Sequence, residues 1–131
     1  NAGIQLPIMV LNPESTSFPA IIQHQLEPEI YSIKGLKAFL KIAEQKKLEQ
    51  FPIHIKLDTG MHRLGFEADT IEELILTLQD NQHVQVKSIL SHMATSDANE
   101  HLTFSLAQIQ LFEELSSQLM QELHINPYVI F

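Results

Sequence analysis

The chain contains no cysteine and no tryptophan among its 131 residues. Without thiols there are no disulfides, no thiolate metal sites and no cysteine nucleophile. Cations are scarce too: Lys and Arg total 8 against 16 Asp and Glu, a formal charge of −8. That balance disfavours a general attraction to nucleic acid or to an anionic membrane, and no basic patch with interleaved aromatics offsets it. No apolar run approaches the ~20 residues that span a bilayer. The opening NAGIQLP lacks the basic and apolar regions of a signal peptide. A soluble, cytoplasmic domain is the expectation, and Asn1-Ala2 has the look of a cloning remnant.

What is present suffices for one core, with 44% hydrophobic residues. Short apolar runs bounded by Pro, Asn, Gly or charged residues predict strands at Pro7–Leu11, Glu29–Ile33, Ile53–Asp58, Val84–Ser91 and Pro127–Phe131. Helical periodicity lies between the later ones. In KGLKAFLKIAEQKKL, Leu36, Phe39, Leu40 and Ala43 form a stripe opposite Lys34, Lys37 and Lys41. In DTIEELILTLQD, Asp69 and Glu72 have capping-box spacing. The longest helix, about Thr103 to Leu123, carries Leu106, Ile109, Phe112, Leu115 and Leu119 at helical intervals. Asn12 to Pro28 is expected to be a loop holding one short helix. Alternating strands and helices predict an α/β domain with parallel strands joined by right-handed crossovers. Two architectures fit: an open doubly wound sheet, or part of a (β/α)8 TIM barrel, whose full form needs ~250 residues.

The densest chemistry lies in IHIKLDTGMHRLGF, residues Ile53 to Phe66, where Lys56, Asp58 and the only arginine, Arg63, fall close together. Ile53, Ile55 and Leu57 alternate with His54, Lys56 and Asp58. Strands of an open parallel sheet are covered on both faces and tend to be apolar throughout. One polar face suits a barrel better, because inward side chains near the C-terminal rim line an active site there. Thr59 to Gly65 would then be the βα loop at that rim, with Gly60 and Gly65 permitting close approach to a ligand. Arg63 offers a planar fork of donors for a carboxylate or phenolate. The plainer alternative is a solvated Lys–Asp edge pair and a surface arginine.

KLDTGMHRLGF resembles the K-x-D-T-G-M-x-R-L-G motif of the alanine racemases, pyridoxal-phosphate enzymes built on a (β/α)8 barrel. The match is long and ungapped. SILSHMATSD (Ser88 to Asp97) resembles the family's T-H-F-A-T-A-D segment, Gln108 to Phe112 its Q-x-x-x-F pattern, and GIQLPIMVL the approach to barrel strand three. The resemblance covers essentially the whole chain, as a single domain corresponding to about strands three to seven. It implies that Arg63 contacts the cofactor's phenolic oxygen and the substrate carboxylate. It implies that Lys56 carries a carbamate that accepts from Arg63, and that the His92 ring lies against the cofactor. His62 stands where the family has Gly or Asn, so no role carries over.

The same resemblance marks what is missing. The lysine that bonds the cofactor lies in a K-A-x-x-Y-G-H-G context that none of the seven lysines has. The phosphate-binding Ser or Thr belongs beyond strand seven. The catalytic tyrosine belongs to a C-terminal β-domain and acts across a homodimer interface; Tyr31 and Tyr128 do not match it. The chain is therefore expected to be an interior piece of a racemase that interconverts L- and D-alanine for peptidoglycan synthesis, inactive alone, its cut barrel edges inviting self-association. A second reading keeps fold and cofactor but changes the reaction, to a broader amino-acid racemase, a decarboxylase or an aldolase. A third is a non-catalytic α/β interaction domain.

Other groupings carry less. Seven histidines invite a metal reading, especially His92 and His101 around Asp97 and Glu100, but the spacing matches no zinc pattern and no metal site is assigned. Ser91 and His92 are not a nucleophile pair, because adjacent strand residues point to opposite faces. Asp97 and Glu100 are expected to cap or solvate the following helix, and Phe104, Phe112 and Met93 to pack.

Overall fold

The computed structural model describes residues 6–60, 64–92 and 102–130, with 102–105 given as helical backbone alone. Five strands, β1 (Met9–Val10), β2 (Glu27–Ile30), β3 (Phe51–Leu57), β4 (Val84–Ser91) and β5 (Tyr128–Ile130), form one sheet in the order β1-β2-β3-β4-β5. Every neighbouring pair is parallel. The crossovers are α1 (Phe18–Gln23), α2 (Ile33–Gln45), α3 (Ile71–Leu78) and α4 (Leu102–Leu123). A doubly wound sheet must reverse its strand order to cover both faces. This one never reverses, so right-handed crossovers put all four helices on one side. Of the two expected architectures, the sheet is the barrel sector, left open at both edges.

The core lies between sheet and helices. Ile30, Ile53, Ile55, Leu57, Val84, Val86 and Ile89 meet Leu36, Phe39, Leu74, Phe112 and Leu119 there, all buried. Phe39 anchors one end, edge-on to Phe18 at 5.1 Å and tilted against Phe51 at 5.7 Å. The opposite face carries the polar side chains Glu27, Glu29, His54, Lys56 and Ser88 at its centre, with Leu90 half-buried beside them and Tyr128 and Ile130 exposed at the β5 edge. Alternation along β3 holds throughout, but β4 breaks phase. Ile53 pairs with Val86 and His54 with Ser88, so Lys87 is an extra residue, a β-bulge.

Four expectations need correction. β2 runs Glu27–Ile30 rather than Glu29–Ile33, because Ser32 ends the extended chain and caps α2, its Oγ accepting from the Gly35 N–H at 3.0 Å. Pro28 therefore lies inside a strand and not at the end of a loop. The chain enters α3 through a 3₁₀ turn, Ala68–Thr70, so Asp69 caps nothing; Thr70 is the N-cap, its hydroxyl donating to the Glu67 carbonyl. Leu106 is 56% exposed. The buried stripe of α4 is Gln108, Phe112, Leu115, Ser116 and Leu119, with Ile109 half-buried, and two residues at ~100° each turn Leu106 away from Gln108 to the far side.

Candidate active site

The loop after β3 leaves the sheet and returns to it. The Phe66 N–H donates to the Lys56 carbonyl and the Asp58 N–H to the Phe66 carbonyl, both at 2.9 Å, bridging Leu57 to Phe66. Phe66 is buried in the core, so the loop is pinned at both ends. Gly65 makes that closure possible. Its φ is +149°, and a Cβ there would stand 2.7 Å from the Asp58 nitrogen. Inside the loop, the Gly60 N–H donates to Asp58 Oδ1 at 3.1 Å. Thr59 Oγ1 and Ser91 Oγ, both buried, bond at 2.8 Å and tie the loop to the end of β4.

At this C-terminal rim a pocket of about 240 Å³ is lined by Leu11, Asn12, Lys56, Asp58, Leu64 and His92, among others. Lys56 points onto the polar face, and its Nζ donates to Asn12 Oδ1 at 3.4 Å, a long contact that leaves the amine available. Asn12 turns the chain after β1 with φ 49°, a conformation Asn tolerates, and its N–H donates to buried Glu29 at 3.1 Å. His92 is exposed at the rim, while its neighbour Ser91 faces the helices and is buried. Lys56 and His92, expected together from sequence, line one pocket. Arg63, the third expected site residue, lies outside the described residues. So do Asp97, Glu100 and His101, and among the described residues no three His, Asp or Glu side chains cluster as a metal site.

One strand layer below lies a polar cluster that sequence reasoning missed. Buried His54 bonds through Nε2 to Glu27 Oε1 at 2.8 Å and through Nδ1 to Ser88 Oγ at 2.5 Å. Lys87 Nζ reaches Glu27 Oε2 at 3.2 Å. Both carboxylate oxygens of Glu27 thus have partners, as a buried charge requires. The available signal was His54 in the polar phase of β3, together with Lys87 and Ser88 adjacent inside an apolar run.

Comparison with known proteins matches this arrangement to one family. The description "Alanine racemase, N-terminal domain" matches residues 1–130. Alanine racemases of Nostoc sp. and Prochlorococcus marinus are each 36% identical, covering 90% and 91% of this chain and 31% and 32% of their own. The chain therefore spans about a third of the length of these relatives. In fold, the alanine racemase of Streptomyces coelicolor superposes with a TM-score of 0.86 at 19% identity, over 98% of this chain and 35% of that one. That of Bartonella henselae, with covalently bound pyridoxal phosphate, gives 0.78 at 23% identity, over 96% and 35%. The parallel sheet with helices on one face, the rim loop and the match over residues 1–130 place the chain in the alanine racemase N-terminal domain family.

Proposed function

We propose that the chain is the central barrel segment, about strands three to seven, of a cytoplasmic, homodimeric alanine racemase that uses pyridoxal phosphate. It would interconvert L- and D-alanine for peptidoglycan synthesis. The observation that carries this reading is the segregation of the two sheet faces. Apolar residues meet the helices, while Lys56 and His92 share a pocket at the C-terminal rim of the polar face, where barrel enzymes do their chemistry.

The residues present fit part of the cofactor's surroundings: a half-exposed amine and an exposed imidazole open to one pocket beside a loop stitched at both ends. His92 would lie against the cofactor ring. Arg63 would donate to its phenolic oxygen and to the substrate carboxylate, which fixes the α-carbon in place. Lys56, once carbamylated, would be an acceptor that orients the Arg63 fork. Pyridoxal phosphate, when bound, supplies an electron sink that stabilises negative charge at an amino acid's α-carbon. Protons are moved by other groups, because no lysine here has the K-A-x-x-Y-G-H-G context and neither tyrosine matches the catalytic one.

Solvent-deuterium exchange at the α-carbon of alanine, followed by NMR with pyridoxal phosphate, tests the reading. Exchange is expected from the full-length gene product and not from these 131 residues alone. Exchange by neither protein would overturn the racemase assignment, and exchange by the isolated chain would overturn its predicted inactivity.

A further inference from the structure

We propose that Glu27 and His54 are positioning residues for His92, acting through the bulge at Lys87. Core contacts on β4 come from Val84, Val86 and then Ile89, so the strand changes phase between the second and third. An unbulged strand would continue Val84, Val86, Ser88, Leu90 and His92 on the helix face. His92 would then face the core instead of the rim pocket it shares with Lys56.

Apolar burial does not choose between the two phases. The observed one buries Ile89 and leaves Leu90 half-buried on the polar face; the straight one would bury Leu90 in exchange for Ile89, one aliphatic for another. Polar partners decide. In the observed phase two consecutive side chains turn to the polar face and both are held there, Ser88 by His54 Nδ1 and Lys87 by Glu27 Oε2. Glu27 closes the arrangement by also accepting from His54 Nε2. In the straight phase Ser88 would lose His54 and stand among core side chains, where an unpaired hydroxyl is costly. The weight of His92 in catalysis rests on the racemase reading above, whereas the phase of β4 does not.

The test needs no cofactor. Diethyl pyrocarbonate labelling of His92, read by peptide mass spectrometry against exposed His24 as internal standard, is measured in the cofactor-free full-length gene product and in its cofactor-free Ser88→Ala and Glu27→Gln variants. The His92-to-His24 ratio is expected to fall in both. Lys87→Met, at a partly exposed position, supplies a folded variant with the same expected change if either buried substitution prevents folding. Unchanged ratios in the folded variants, with only a lower melting temperature, would reduce Glu27 and His54 to general stabilisers and overturn the proposal. So would cross-strand NMR contacts in the unsubstituted protein that place His54 opposite Lys87 rather than Ser88.

Discussion

Gly65 shows how a single missing side chain can shape a site. With φ at +149° and a virtual Cβ 2.7 Å from the Asp58 nitrogen and 2.9 Å from the Leu57 carbonyl carbon, neither backbone atom can yield cheaply. Gly65→Ala is expected to destabilise the fold by about 2–3 kcal/mol, measurable by urea denaturation, and to loosen the loop that contains Arg63. At Arg63 itself, replacement by Ala is expected to slow alanine α-carbon exchange by about 100-fold or more in the full-length protein, the scale of losing one donor to developing charge. Retention of most of the rate would remove Arg63 from the site. The sequence singled out Lys56, Arg63 and His92 because a local motif carries two of them and a short segment the third, and of these the structure brings Lys56 and His92 to one pocket. Glu27, His54, Lys87 and Ser88 were not legible as a group. Their contacts join positions 27 to 60 residues apart, and no local pattern reports such a meeting.

Among the elements, α2 is the most completely specified. Of its predicted stripe, Leu36, Phe39 and Ala43 are buried and Leu40 is half-buried against the core, its three lysines are exposed, and Ser32 caps it. Ser32→Ala is expected to cost about 1 kcal/mol, and Phe39→Ala, which empties the anchor of the core, about 3–5 kcal/mol. Denaturant midpoints of the two variants would separate the cap from the core. In α4 the buried stripe includes Gln108, whose amide atoms have no hydrogen-bond partner among the described residues. Gln108→Leu removes two buried polar atoms at similar volume and is expected to stabilise by about 1 kcal/mol; a lower midpoint would show that the amide is bonded in solution. Boundaries were less legible than elements. Ser32 is compatible with a strand by pattern, and only its bond to Gly35 shows it to be a cap.

At the scale of the whole molecule the chain is a sector. β1 and β5 are edge strands, and large apolar residues near both edges are exposed, among them Leu11, Tyr128, Val129 and Ile130. Open parallel edges flanked by apolar side chains recruit further strands. The 131-residue chain in isolation is expected to associate with increasing concentration, as read by light scattering; a monodisperse monomer across the accessible range would count against it. The alternation of strands and helices made the parallel sheet legible. Sector rather than doubly wound sheet was decided by the strand order, a property of the assembled sheet that composition does not encode.

The bulge in β4 also gives this strand something like a reading frame. Deleting Lys87 would leave both faces as they are, whereas straightening the bulge with every residue kept would exchange the two faces for the rest of the strand. Ser88, Leu90 and His92 would turn towards the helices, and Ile89 and Ser91 towards the site. For anyone transplanting this strand into another scaffold, the unit to copy is therefore the segment from Val86 to His92 together with Glu27 and His54. A point substitution at His92 edits one letter, whereas a one-residue slip rewrites the word.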